Sequence, residues 1–425
     1  MDLTPPRGSR DFLPQEAALR EHVTDTLKNA FRRYGFQPLE TPILEHLDVL
    51  SSKFAGGEEI LKETYRLTDQ GGRELGLRYD LTVPLCRVFA GNMLAKPFKR
   101  YQIAPVFRDG PLKKGRYREF YQCDVDTLGV ESVAAEAELL ALTAQAFTSL
   151  GLDVVLKVNH RSLLNGLLEH AGVGPEKHHA VLLSMDKLEK IGRKGVLDEL
   201  VSVRGLQKTQ ADKVLKVFDD ALQSPFVYCE KIRNEPAQKG ISDLKKLFEL
   251  LDAYGAKAEL FPTLARGLNY YTGTVYEVFL KQGAMTSSLA AGGRYDEMVG
   301  KFSGKEKVPA VGISFGLDVI CEALKEKGEM AQSFSSVYVF GIGDVQKDTV
   351  TIAQTLRNAG IACLLDLSNK GVSKNLDFAS RQHFSWVILV GEREIKQGHF
   401  TLKNLKSGQE SKLSLPQIIL HLKKG

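Results

Sequence analysis

Cysteine is scarce and scattered in this chain. Its five residues, Cys86, Cys123, Cys229, Cys321 and Cys363, are odd in number and form no CxxC pair. That pattern argues against a disulfide framework and a structural zinc site, and it fits a reducing cytosol. Long apolar runs are missing too, since no stretch nears the roughly 18 residues that span a bilayer. The opening MDLTPPRGSRDFLP carries prolines and arginines but no apolar core, so it reads as neither secretory signal nor transit peptide. There is no GxxxxGK[ST] loop, and any ATP chemistry therefore needs a different phosphate cradle. Internal repeats and low-complexity tracts are also absent.

What is present is an ordinary globular composition, 43% hydrophobic and 26% charged over 425 residues. Such a length suggests about two or three domains. The net charge of +5 is unevenly spread. Twelve Lys and Arg face seven Asp and Glu from Ala331 to Gly425, whereas the first 330 residues balance at 45 against 45. A basic appendage on a neutral body suits an acidic partner such as RNA, and it equally suits a slightly basic domain without one.

Residues 16–34 place Leu19, Val23, Leu27, Phe31 and Tyr34 three or four apart, which predicts an amphipathic helix ended by Gly35. FQPLETPILE reads as an extended edge element, because Pro38 and Pro42 donate no ladder hydrogen bond. Strands are expected at 73–81 and 99–107, a turn at GPLKKG (110–115) and a strand at 116–126, together an antiparallel hairpin. A helix at 132–149 and a strand at 153–159 follow. From 160 to 255 the pattern turns helical, as in an inserted region. Strands return at 264–280 and 286–293, with a strand–helix unit at 309–326 and a linker at 325–336. Beyond it, strand and helix alternate as a small α/β domain. The division is therefore 1–159, 160–255, 256–326 and 336–425, with an α/β (α+β) fold class.

Three motifs carry little. GISFG (312–316) satisfies GxSxG but lacks acid and histidine partners at usable positions, so Ser314 is not read as a nucleophile. GIGDVQ (341–346) lacks the third glycine of a dinucleotide fingerprint. His178 and His179 are adjacent, face different ways on a helix, and read as surface residues. No metal site is expected.

The informative stretch is 99–129. Its turn holds Arg108, Lys113, Lys114, Arg116 and Arg118 against the single acid Asp109. A hairpin so charged repels itself unless an anion such as polyphosphate or a nucleic-acid end neutralises it. In the next strand Tyr121, Cys123 and Val125 face one way, and Gln122, Asp124 and Asp126 the other. Such a polar face meets either ligand or water. LARGLNYYTGTVYEVF (264–279) adds Arg266 ahead of paired tyrosines, and AAGGRYDEMVG (290–300) a glycine-rich approach to a helix.

Taken in order, PRGSRDFLP (6–14), YGFQPLETPILE, LRYDLTVP (77–84), FRDGPLKKGRYREFYQCDVD, ARGLNYYTG and AGGRYDEMVG closely resemble histidyl-tRNA synthetases, through the first 320 residues. The basic α/β tail is similar to that family's anticodon-binding domain. The resemblance implies a class II catalytic core with a six-stranded antiparallel sheet, a helical insertion and a C-terminal anticodon-binding domain. It implies histidine, ATP with Mg²⁺, and tRNA(His) as partners of a cytoplasmic homodimer, with a motif-1-like interface at YGFQPLETPILE and no membrane. By this resemblance Arg108 grips the α-phosphate of ATP and the substrate carboxylate, and Arg266 lies opposite it as the second catalytic arginine. Arg116 contacts the nucleotide. Asp80, Gln122, Asp126, Tyr270 and Tyr271 bind histidine, and Lys113 and Lys114 meet the tRNA acceptor end. Two positions depart from the family: Asn269 replaces its usual Asp, and Val319 stands where class II motif 3 places an adenine-stacking arginine. A non-catalytic regulatory subunit of a phosphoribosyltransferase, similar to this family, is the main alternative. An RNA-binding module without chemistry is the third.

Overall fold

Alternating apolar and polar residues along 98–128 produce two long strands, and the rest of the first half is assembled on them. The computed structural model describes residues 1, 3–51, 58–112, 117–265, 271–283, 285–304, 307–328, 337–368 and 370–424, with backbone alone at 58, 59 and 424. The chain divides into two compact units, Met1–Asp11 with Arg20–Glu329, and Phe12–Leu19 with Met330–Gly425. Among the described residues no helix is long and apolar enough to cross a membrane.

In the first unit eight strands form one sheet. They are β1 (Gln37–Pro38), β2 (Phe98–Phe107), β3 (Glu119–Leu128), β4 (Val154–His160), β5 (Glu259–Leu260), β6 (Thr274–Leu280), β7 (Ala290–Arg294) and β8 (Ala310–Gly316). Their order is β1-β2-β3-β8-β7-β6-β4-β5. The six inner strands pair antiparallel, while the two-residue edge strands β1 and β5 run parallel to their neighbours. Helix Pro14–Arg33 brings Phe31 against Tyr101 and Phe315, with ring centroids 5.5 and 5.6 Å apart.

Helices fill Arg161–Tyr254, in six segments after β4. The first and last of them, Arg161–His170 and Glu235–Tyr254, meet through glycines. A Cβ on Gly166 would sit 2.5 Å from the Ala237 nitrogen, and one on Gly240 2.6 Å from that of Leu163, so only glycine permits this approach. The insertion-like sequence is thereby pinned back onto its own start.

The structure departs from the sequence reading at several points. Residues Thr82–Gly91 form a helix that went unread, and the strand expected at 73–81 shrinks to Glu74–Leu77. That strand joins Leu44–His46 and Arg66–Thr68 in a separate three-stranded sheet. Of the strand expected at 264–280, Thr274–Leu280 is observed, 264–265 and 271–273 are not strand, and 266–270 lie outside the described residues. His178 is buried and bonded to the Val173 carbonyl at 3.1 Å, because its helix turns that face inward. Gly292 and Gly293 lie within β7, in the stretch where a strand was expected, and a Cβ on Gly292 would strike the Tyr276 ring.

The second unit has a five-stranded mixed sheet, ordered Cys363–Leu365, Val337–Ile342, Trp386–Gly391, Phe400–Asn404 and Glu410–Leu413. The period-two pattern of VYVF explains its two faces. Val337 and Val339 pack with Ile352, Leu356 and Ile418 on one side, and Tyr338 and Phe340 with Phe384 and Val387 on the other.

One buried ion pair ties the first unit's layers together. Arg294 of β7 donates from Nε and Nη2 to the two oxygens of Glu136, each at 2.7 Å, with Asp296 at 3.2 Å. Glu136 belongs to helix Ala134–Ser149 and is 1% exposed. Glu136→Gln leaves a buried guanidinium half-paired, and we expect a loss of about 3 kcal/mol in urea denaturation of the full chain.

Candidate active site

The polar face of β3 opens into a cavity of about 400 Å³. Its wall includes Asp80, Arg108, Phe120, Gln122, Asp124, Asp126, Tyr271, Ser314 and Val319. Arg108, Asp80, Gln122, Asp126 and Tyr271, singled out in the sequence, therefore converge on one space. Arg266, Tyr270, Asn269, Lys113, Lys114 and Arg116 lie outside the described residues.

Each side chain is set by its element. The register pairs Asp126 with Arg100 of β2 and with Gly312 of β8. A Cβ on Gly312 would overlap Asp126 Oδ1, so glycine clears the space for that carboxylate. Asp126 accepts from the Tyr295 hydroxyl and lies 2.7 Å from Arg100 Nη2. Arg100 is 1% exposed and also donates to the Leu81 carbonyl at 3.2 Å. Ser314, opposite Asp124, accepts from Gln122 Nε2 at 3.0 Å and also hydrogen-bonds Asp124. Ser314 sits mid-strand, without the sharp strand–helix turn of a nucleophile elbow.

Arg108 closes the other end. Its Nε donates to the Tyr79 carbonyl at 3.0 Å, and its guanidinium lies 5.0 Å from the Phe120 ring centroid. The hairpin is partly neutralised from within, since Arg118 meets Asp109 at 3.0 Å. The amino-terminal PRGSR segment braces it. Gly8 accepts from the Arg118 amide at 2.9 Å, and Arg10 and Arg20 both reach Asp318 at 2.6 Å. Asp318 in turn accepts from the Tyr121 amide at 3.2 Å, so the segment holds the strand that carries the polar face.

Burial raises the carboxylates. Asp80 is pushed up to about 6, although the amide of Val83 donates to it at 3.0 Å and Arg108 is nearby. Asp124 and Asp126 are raised for the same reason, opposed by Arg100. The cavity thus offers a guanidinium with Asp80 near it and further recessed acceptors along β3, matching a ligand with both anionic and cationic or N–H-bearing parts. Arg100, Asp124, Ser314 and Tyr295 were given no role in the sequence reading. Asp124 alone carried a signal, its place on the polar face; Arg100 is found only through strand register.

A raised carboxylate favours the folded state in its protonated form, so its stabilising contribution is present below pH 4 and lost as pH rises through about 6. Asp80→Asn keeps an oxygen for the Val83 amide and removes that loss. It should be more stable than the parent by about 2 kcal/mol at pH 8, with the gap closing near pH 4. Thermal melts across that range measure it, and equal midpoints at pH 8 would refute the burial argument.

A family model described as histidyl-tRNA synthetase matches residues 8–320, and one described as anticodon binding domain matches 336–424. Histidine--tRNA ligase 1 of Bacillus thuringiensis subsp. konkukian (strain 97-27) is 43% identical over 428 residues, covering 99% of this chain and all of that protein. The crystal structure of histidyl-tRNA synthetase from Nostoc sp. PCC 7120 superposes with a TM-score of 0.88 at 30% identity, covering 100% of this chain and 99% of that one. An ATP phosphoribosyltransferase regulatory subunit/histidyl-tRNA synthetase from Bacillus halodurans C reaches a TM-score of 0.75 at 23% identity, covering 92% and 99%. At that identity it is a likeness of fold.

Proposed function

The chain belongs to the histidyl-tRNA synthetase family, and from that premise we propose that it is a histidine–tRNA ligase. The observation that carries this reading is the single cavity lined by Arg108, Asp80, Gln122, Asp124 and Asp126, with Asp80 near the guanidinium. Histidine is a zwitterion with an N–H-bearing ring, and its carboxylate must meet a phosphate. A basic end beside an acceptor-lined end suits both demands at once.

In the first step a histidine carboxylate oxygen attacks the α-phosphorus of ATP. The bond from that phosphorus to the bridging oxygen breaks, and pyrophosphate leaves with the electron pair. In the second, the terminal ribose hydroxyl of tRNA attacks the adenylate carbonyl, AMP leaves, and an ester forms. Neither step needs a protein nucleophile; alignment and charge stabilisation suffice. Arg108 binds the α-phosphate and the substrate carboxylate, its planar fork spanning two oxygens. Its hydrogen bond to the Tyr79 carbonyl preorganises it without using the whole guanidinium. Asp80 takes the α-ammonium and Tyr271 closes over the ring. The family resemblance assigns Arg266 to the α-phosphate with Arg108, and Tyr271 of the same motif lines the cavity. Mg²⁺ would enter on the triphosphate, whose oxygens supply its ligands. Among the described residues no group of three or more His, Cys, Asp or Glu is arranged to hold a metal.

The remaining assignments rest on the family resemblance. The charged hairpin tip, with Lys113, Lys114 and Arg116, takes the acceptor end and nucleotide, and the C-terminal unit takes the anticodon. Homodimerisation through the motif-1-like segment is supported by Ile43, Leu44 and Leu67, exposed at 41, 48 and 43% around the small three-stranded sheet. Five buried free cysteines suit a reducing cytoplasm. The regulatory-subunit alternative has only Val319 in its favour, against a relative named as a ligase along the full length.

Histidine-dependent exchange of labelled pyrophosphate into ATP tests the proposal. The wild-type chain should catalyse it, and Arg266→Ala should lower it by about 10²–10³-fold while melting normally. Full activity in the variant would remove Arg266 from the mechanism, and no exchange by the wild type would remove the mechanism itself.

A further inference from the structure

The amino-terminal PRGSR segment (6–10) has no part in the mechanism above, yet it is attached to the charged hairpin at two points. The first is backbone. The Gly8 carbonyl accepts from the amides of Arg118 and Glu119, at 2.9 and 3.4 Å. The Arg118 carbonyl in turn accepts from the Arg108 amide at 2.8 Å. Gly8 has φ +95°, and a Cβ there would sit 2.6 Å from Arg118 Cγ, so glycine alone permits the approach.

The second attachment is the Arg10 side chain. Its guanidinium lies 3.7 Å from the Tyr117 ring centroid, and Nη1 donates to the Tyr117 hydroxyl at 2.8 Å. Its Nη2 donates to Asp318 Oδ1 at 2.6 Å. The Tyr117 hydroxyl also reaches Glu322 at 3.5 Å, so one planar group joins the hairpin's return arm to helix Leu317–Glu326. Tyr117 stands three residues before Phe120, and Asp318 one before Val319, and both Phe120 and Val319 line the cavity. Arg20 repeats the pattern, 5.1 Å from the Tyr121 ring centroid and 2.6 Å from the same Asp318 oxygen. Location then selects the ligand. Asp124 and Asp126 are buried, whereas Arg108, Phe120 and Val319 remain half-buried. A triphosphate keeps its metal and much of its water, so it belongs with the half-buried lining and the amino acid with the recess.

We propose that Arg10 is a positioning residue for the nucleotide, fixing Phe120 relative to Val319 by bridging Tyr117 to Asp318. The proposal rests on the ligase reading above and adds the amino-terminal segment to it. Arg10 touches no substrate; it holds two parts of the wall at the separation the nucleotide needs. Its loss loosens that part and leaves the recess for histidine in place. The Gly8 hydrogen bonds are to backbone and survive the substitution, so Arg108 keeps its support. Asp318 is itself buried, but Arg20 stays on it, so no buried charge is left unpaired and the fold persists.

The experiment uses the full-length chain, its Arg10→Ala and Tyr117→Leu variants and the double variant, in pyrophosphate exchange with KM measured separately for ATP and for L-histidine. Arg10→Ala should raise KM for ATP by about threefold to thirtyfold, the range a cation–ring contact is worth. KM for histidine should stay within about twofold. A lesion that merely unfolds part of the protein lowers kcat and leaves both KM values where they were. Tyr117→Leu removes the same bridge from its other side and keeps the proposal testable where Arg10→Ala does not fold. The two residues act through one contact, so the double variant should lose no more than about twofold beyond the worse single. KM for ATP unchanged in both single variants, both KM values rising by the same factor, or losses that multiply in the double variant each overturn the inference and leave the ligase reading intact. Absence of exchange in the wild type overturns both.

Discussion

A single buried guanidinium holds the floor of the cavity. Arg100 is 1% exposed and pairs with Asp126 in the adjacent strand, while its Nη2 also reaches the Leu81 carbonyl at the start of helix Thr82–Gly91. Three elements therefore meet on one side chain. Two further nitrogens, Nε and Nη1, have no hydrogen-bond partner. Without Arg100, three carboxylates would share a low-dielectric recess in which, among the described residues, Arg108 is the cation lining the wall, and burial would favour their neutral forms. With it, the recess tolerates acids poised close to neutrality. A site that must accept a partly cationic amino acid needs that poise: fully compensated acids would have no attraction left for the ligand.

The same arrangement explains why the pocket is costly and why the surrounding structure is stiff. Buried carboxylates with raised pKa values weaken the empty fold. Rigidity is supplied from outside the cavity, by Arg294 and Glu136 across the sheet–helix layer and by Asp318 drawing Arg10 and Arg20 onto β3. These pairs touch no substrate in the proposed mechanism. They fix the strands to which substrate-facing side chains are attached, which is how alignment to within a fraction of an ångström is maintained.

Much of this architecture was legible in the chain itself, because its signals are local. The period of 3.6 located helix Pro14–Arg33, and the period of 2 along 119–128 separated Cys123 and Val125 from Gln122, Asp124 and Asp126. The remainder depends on partners distant in sequence. The helix at Thr82–Gly91 begins with β-branched residues and has Pro84 in its first turn, a pattern that imitates extended chain until Asp80 caps it through the Val83 amide. The pairing of Arg100 with Asp126 is a matter of register, which no window of a dozen residues contains. Asp124 and Asp126 were seen as one polar face meeting ligand or water, and the partners that hold Asp126, Arg100 and Tyr295, the latter 169 residues away, lie beyond any local pattern.

Val319 can be placed in the same physical terms. It lines the cavity next to Gly316, and the residue before it, Asp318, gathers Arg10 and Arg20. The chain puts an aliphatic side chain there, while the carboxylate of Asp318 pairs with both arginines and accepts from the Tyr121 amide. An aliphatic surface still offers a nucleobase dispersion and apolar burial, and loses only the cation's attraction to the ring face. That attraction is worth about 0.5–2 kcal/mol, a difference in nucleotide affinity rather than in chemistry. The departure at this position is therefore compatible with an active ligase, because the proposed steps at phosphorus and carbonyl rest on Arg108 and not on the residue at 319.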